Sequence, residues 1–202
     1  MRGRVSRDVR ICVVGDSFVN GYGDPKALGW VGRVLARTPA DDLDLTVYNL
    51  GVRGDSSADV LSRWRDETTR RWREGSENRL VVAVGYNDVN AGLSCARTRL
   101  NLANIVDGAA TGGLHPFVVG PPPAPDADVN ERLRPVVAAQ QDVCSRRGVP
   151  FIDCFTPLLG HEQWYADLGP GDGMHPAQAG YGLIAWLVLH TGWGEWLGVD
   201  ID

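Results

Sequence analysis

The chain has 202 residues, 44% hydrophobic and 22% charged, the profile of an ordinary globular protein. That length supports one good core and is short for two, so one domain over residues 1–202 is expected. Lys and Arg total 20 against 25 Asp and Glu, and the net charge of −5 argues against nucleic acid or an anionic membrane as the main partner.

The first residues, MRGRVSRDVR, are charged and lack an apolar signal core, and no later run approaches the length of a membrane span. A cytoplasmic chain without integral membrane association is therefore expected. Five short runs rich in β-branched residues and bounded by Gly or Pro predict strands: Val9 to Gly15, Leu45 to Gly51, Arg79 to Gly85, His115 to Pro121 and Val149 to Phe155. Such near-continuous apolar runs suit a parallel sheet covered on both faces. Helical patterns lie between them. One runs from Ser56 to Glu74, with Val60 and Trp64 on one face and mixed charges in RWRDETTRRWREG on the other. Another, DADVNERLRPVVAAQQDVCSRRG, ends at Gly148 and either begins at Pro135 or kinks there. The last opens at Pro176. Alternating strands and helices predict a three-layer α/β/α sandwich, flavodoxin-like, with a five-stranded parallel sheet in the order 2-1-3-4-5. The terminal WGEWLGVDID either covers the core or faces a partner subunit, and the oligomeric state stays open. Cys12, Cys95, Cys144 and Cys154 form no C-x-x-C pair, and Cys12 and Cys154 sit in apolar runs, so reduced thiols are expected rather than disulfides.

The tripeptide Gly-Asp-Ser occurs twice, ending at Ser17 and at Ser56. Ser17 directly follows the first strand, and open parallel sheets bind ligands beyond the carboxyl ends of their strands. Ser56 leads into a helical pattern, where Asp55 to Ser57 fit an N-cap, so Ser17 is the nucleophile candidate. A serine hydroxyl needs a base, which is best a histidine oriented by a carboxylate. Of the four histidines, His115 begins a strand, His190 lies near a helix end, and His161 has no second ligand at metal spacing. His175 stands three residues after Asp172 in a glycine-rich loop, GPGDGMHPAQAG, which also fits a plain turn capping the last helix. Asn87, just past the third strand, could donate its amide into the same crevice as part of an oxyanion hole; G-x-N-D is equally a common turn. Gly51, at the end of the second strand, could offer a backbone N–H without a side chain in the way.

With Gly15-Asp16-Ser17, Gly51, Gly85-Tyr86-Asn87-Asp88 and Asp172-Gly173-Met174-His175-Pro176 in this order, the sequence resembles the SGNH hydrolase superfamily, the GDSL esterases and lipases. The resemblance spans residues 11 to about 190 and is nearest to small intracellular bacterial members. It implies a flavodoxin-like fold and a catalytic triad of Ser17, His175 and Asp172. It also implies an oxyanion hole from the Ser17 and Gly51 N–H groups with the Asn87 side chain. Phe18 stands where the family's nickname has leucine. The expected activity is hydrolysis of a small carboxylic ester through an acyl-enzyme, with no metal or other cofactor, falling on the acid side as the imidazole is protonated. The same triad would serve an acyltransferase, a thioesterase or a carbohydrate deacetylase, and a catalytically silent binding protein is the rival of another class. A phosphate-binding flavodoxin-like protein is weaker, since no P-loop lysine or G-x-G-x-x-G follows the first strand. Phe18, Tyr22, Trp30, Tyr86 and the GPPPAP loop are candidate pocket walls, with Trp164 and Tyr165 favoured by their nearness to Asp172; the same aromatics could simply pack.

Overall fold

A computed structural model describes residues 6–39, 42–168 and 171–201. The strands are β1 (Arg7–Gly15), β2 (Leu43–Gly51), β3 (Glu77–Ala83), β4 (His115–Val119) and β5 (Phe151–Ile152). They pair in parallel throughout, in the order β2-β1-β3-β4-β5. The first helices are α1 (Ser17–Asn20), α2 (Gly29–Ala36), α3 (Ser57–Thr69), α4 (Tyr86–Asn90) and α5 (Cys95–Thr111). Then come α6 (Ala127–Ser145), α7 (Phe155–Leu158), α8 (Glu162–Leu168), α9 (Gln178–Val188), a π turn at Leu189–Trp193 and α10 (Gly194–Leu197). No described helix is long and apolar enough to cross a membrane.

The two-residue period of a strand builds the two cores. Val9, Ile11 and Val13 of β1 face one side, where they join Trp30, Val31 and Val34 of α2 and Ile184 and Val188 of α9. Cys12 and Val14 face the other, with Val60 and Trp64 of α3 and Leu102, Ile105 and Val106 of α5. Each fully buried aliphatic side chain contributes roughly 2 kcal/mol, so burial on both faces holds the sheet between its helical layers. The expected three-layer α/β/α architecture and strand order are those observed.

Several boundaries differ from expectation. β3 ends at Ala83, because Gly85 leaves the strand with φ +119° and caps α4. β5 is two residues long, since the Asp153 carboxylate turns back to accept from the N–H groups of Phe155 and Thr156, each at 2.9 Å, and starts α7. α3 stops at Thr69, short of Glu74. α6 runs unbroken through Pro135 and begins at Ala127, where the Asp126 side chain accepts from the Asp128 N–H at 2.7 Å. α2 and α5 carry no strong stretch of the helical pattern and were not anticipated. The terminal aromatics cover the core: Trp193 is 1% exposed, its indole N–H donates to Thr38 Oγ1 at 3.0 Å, and its ring meets Phe117. The four cysteines are free thiols; Cys12, Cys144 and Cys154 are buried and Cys95 is half-buried.

Candidate active site

β1 turns directly into α1 at Gly15, whose φ is +159°. A Cβ there would lie 2.2 Å from the Ala83 carbonyl oxygen and 2.5 Å from Val19 Cγ2, so only glycine admits this turn. Asp16 caps α1, its Oδ1 accepting from the Phe18 N–H at 2.9 Å. Ser17 thereby becomes the first residue of a helix, with its hydroxyl at the carboxyl edge of the sheet.

His175 meets it from the far end of the chain. Its Nε2 is 2.8 Å from Ser17 Oγ, and its Nδ1 is 2.7 Å from Asp172 Oδ2. The other carboxylate oxygen of Asp172 accepts from the backbone N–H groups of Met174 and His175, at 2.9 and 2.8 Å. Burial works to raise the Asp172 pKa, but these N–H groups and the imidazole outweigh it and hold the carboxyl at about 2. An ionised carboxylate only accepts, so Nδ1 carries the imidazole proton and Nε2 is left to accept from the serine hydroxyl. His175 is 8% exposed, wedged between the Phe18 ring at 5.1 Å and the Tyr22 ring at 4.9 Å. The other three histidines lie elsewhere: His115 and His161 are exposed, and exposed His190 stacks on Trp186.

Asn87 arrives on the first turn of α4. Its amide donates to the Asp55 carbonyl at 3.0 Å and reaches Asp16 Oδ2 at 3.3 Å. Asp88, fully buried beside it, accepts from the Ser57 N–H at 2.5 Å and ties α4 to the start of α3. Burial pushes the Asp16 carboxyl up to about 7 against the opposing Phe18 N–H, with Asp88 and Asp55 adding to the rise. Ser56 caps α3 in a full capping box with Asp59 and takes no part in the cleft, as its helical context suggested.

An open cleft of about 420 Å³ is lined by Ser17, Arg53, Gly54, Asn87, Met174 and His175. Gly51 is not among them. Its N–H donates to Asn49 Oδ1 at 3.0 Å, and its Cα abuts the backbone of Asn20 and Asp16, so the expectation that it faces the crevice is corrected. Gly54 stands there instead, three residues on. The Asp55 N–H to Val52 carbonyl bond, 3.2 Å, closes a turn in which Gly54 has φ +86°, and its own N–H has no acceptor among the described residues. Sequence reasoning missed Gly54 and Arg53, because the stretch from Asp55 to Ser57 that follows them reads only as a helix cap. The usable signal was a second glycine immediately before a helix cap.

Phe18, Tyr22 and Tyr86 do gather near His175. Phe18 packs on Tyr86 at 4.9 Å, and both, with Trp30, wall a small cavity of about 20 Å³ that Asp16, Pro121 and Pro122 also line. Trp164 is corrected: it is fully buried, and its indole N–H donates to the Pro123 carbonyl at 3.1 Å, so it supports the GPPPAP loop from within the core. Tyr165 is half-buried against the same core and lines neither cavity.

A flavodoxin-like sheet that brings a serine, a histidine and a carboxylate into one hydrogen-bonded chain at its carboxyl edge has the architecture of an esterase-type hydrolase. The chain belongs to the GDSL-like Lipase/Acylhydrolase family, whose model matches residues 13–183, and with it to the carboxylic ester hydrolases. It is 30% identical over 88 residues to YpmR of Bacillus subtilis (strain 168), an uncharacterized protein. That match covers 43% of this chain and about a third of the relative, 34% of its length. The crystal structure of TesA is similar at a TM-score of 0.75 and 24% identity, over 90% of this chain and 97% of that one. A catalytic mutant of Axe2, an acetylxylan esterase from Geobacillus stearothermophilus, is similar at a TM-score of 0.75 and 17% identity, over 98% and 99% of the two chains. Both are likenesses of fold.

Proposed function

We propose that this protein hydrolyses small carboxylic esters through an acyl-enzyme on Ser17. The observation that carries the reading is the unbroken chain from Asp172 through His175 to Ser17, with links of 2.7 and 2.8 Å. His175 Nε2 takes the hydroxyl proton as Ser17 Oγ attacks the ester carbonyl, and Asp172 stabilises the imidazolium that forms. The negative oxygen of the tetrahedral intermediate is met by the Ser17 N–H, by the Asn87 amide, which gives up its 3.3 Å contact with Asp16 Oδ2, and by the Gly54 N–H, the last in the role first expected of Gly51. Collapse expels the alcohol, which takes its proton from His175. Water then attacks the acyl-serine by the same proton relay and releases the acid. Acetate release from an acetylated sugar, the chemistry that Axe2's name describes, would follow the same steps, and an acyl-ester panel with sugar acetates included separates the substrates.

The test is intact mass after incubation with a fluorophosphonate. A single adduct on the wild type and on Ser56→Ala, absent from Ser17→Ala, is the expected result. An unlabelled but folded wild type would overturn the reading in favour of a binding protein on this fold.

A further inference from the structure

We infer that Arg53 is a specificity-determining residue and that the cleft prefers esters carrying an oxyanion, a carboxylate or a phosphate, beside the scissile bond. The inference rests on the hydrolase reading above and concerns which ester that site accepts.

Arg53 and Gly54 are the two central residues of the turn closed between Val52 and Asp55, and this turn is fastened to the site on both sides. The Val52 N–H donates to the Gly15 carbonyl at 2.9 Å, and Arg63 donates to the same carbonyl at 3.1 Å and to Asp55 Oδ2 at 2.6 Å. The Arg53 side chain therefore leaves from a fixed point and lines the same cleft as Ser17, Asn87 and His175. Its guanidinium carbon lies 3.4 Å over the centroid of the Tyr22 ring. Tyr22 is itself held, its carbonyl accepting from the Tyr181 hydroxyl at 2.6 Å and its ring set edge-on to His175. A guanidinium stacked by its face keeps its edge N–H groups free, in the fork geometry that matches carboxylate or phosphate oxygens.

The charges around the turn leave that fork unclaimed. No carboxylate pairs with Arg53 among the described residues, whereas Arg63, on the neighbouring helix, pairs with both Asp55 and Glu67. The other acids of the site are spoken for. Asp172 is bonded to His175 and two backbone N–H groups, and Asp16 and Asp88 are buried at 3% and 0% exposure. A protein of net charge −5 thus presents at its cleft an exposed cation that no described carboxylate pairs. Met174, which lines the same cleft and is 37% exposed, offers an apolar surface to the rest of the substrate.

The experiment compares kcat/KM for three acetate esters: para-acetoxybenzoate, para-acetoxyphenyl phosphate and the neutral methyl para-acetoxybenzoate. It uses the wild type, Arg53→Gln and Arg53→Lys. The expected result is an anionic-over-neutral ratio that falls about tenfold in Arg53→Gln, less in Arg53→Lys, and in the wild type falls as salt is raised to about 0.5 M. Whichever anion suffers the larger fall identifies the oxyanion preferred. A ratio unchanged by Arg53→Gln for both anions overturns the inference, because bracing Tyr22 or the turn would alter charged and neutral esters alike. Fluorophosphonate labelling alongside keeps the two readings apart. Labelling of Ser17 with an unchanged ratio sinks only the role of Arg53, and an unlabelled wild type sinks the hydrolase itself.

Discussion

Replacing Asp172 with Asn keeps the shape of the 172–175 loop and reverses the proton logic of the site. In the native loop Oδ1 receives two backbone N–H groups while Oδ2 faces His175 Nδ1. An asparagine that keeps its oxygen on the two N–H groups must turn its NH2 toward Nδ1. Nδ1 then accepts, the ring proton moves to Nε2, and Nε2 donates to Ser17 instead of receiving its proton. Restoring the productive tautomer requires the amide to flip, which sets its NH2 against both backbone donors. At about 2 kcal/mol for each hydrogen bond left unmade, the flip costs about 4 kcal/mol, or roughly a thousandfold in rate. Loss of the negative charge beside the imidazolium adds to this, for a total of roughly 10^3 to 10^4 in kcat. The assay is steady-state hydrolysis of a para-nitrophenyl ester with the rate of fluorophosphonate labelling and a thermal melt as controls. A folded Asp172→Asn enzyme within tenfold of the wild type would refute the tautomer argument, and with it the assignment of Asp172 as the orienting acid.

Three further outcomes follow from geometry already described. Asp16 titrates at about 7 when folded, well above an unfolded carboxyl, so the native state loses stability as pH rises from about 4 to about 7. Asp16→Asn should therefore gain on the order of 3 kcal/mol relative to wild type between pH 4.5 and 8 in urea titrations, and an equal gap at both pH values would show that Asp16 is ionised throughout. Gly51→Ala places a methyl 2.3 Å from the Asn20 backbone nitrogen, whereas at Gly54 a methyl meets nothing within 4 Å. Thermal melts should thus show a loss of about 3 kcal/mol at Gly51 and about 1 kcal/mol, from the positive φ alone, at Gly54; the reverse order would contradict the placement of the two glycines. Burial pushes the Cys12 and Cys144 thiols up to about 11 and 12, and Cys154 higher still. Titration with a chromogenic disulfide should accordingly report one fast thiol, Cys95, in the native protein and four in denaturant; two or more fast native thiols would mean that a core cysteine is accessible.

The sheet order and the meeting of Ser17 with His175 were legible because both follow from chain-order rules: strand pattern, then loops beyond the carboxyl ends. Gly51 and Gly54 could not be separated that way. Both lie just past β2, and the choice turns on whether the Asn49 side chain folds back to take the Gly51 N–H, a rotamer that no spacing announces. Trp164 misled for a related reason. Its place before Asp172 suggested the pocket, yet a buried indole settles wherever its N–H finds an acceptor, here the Pro123 carbonyl across the core. Pro135 read as a break, but the cap at Asp126 and the packing of Leu133, Val136 and Val137 carry α6 through it. Helix α2 hid because its short apolar run, GWVGRVLA, carries Gly29 and Gly32, which the helix propensity scale disfavours.

The bond between His175 and Ser17 joins residues 158 apart in the chain. On a ribosome, which releases the N-terminal part first, Ser17 and the two strands beside it emerge long before any imidazole can reach them. Through most of synthesis the hydroxyl is an ordinary alcohol, too weak a nucleophile to acylate itself on passing metabolites. On the proposed mechanism Ser17 gains its base only when the last loop docks, so the nascent chain would be shielded from its own chemistry by the order in which it is made.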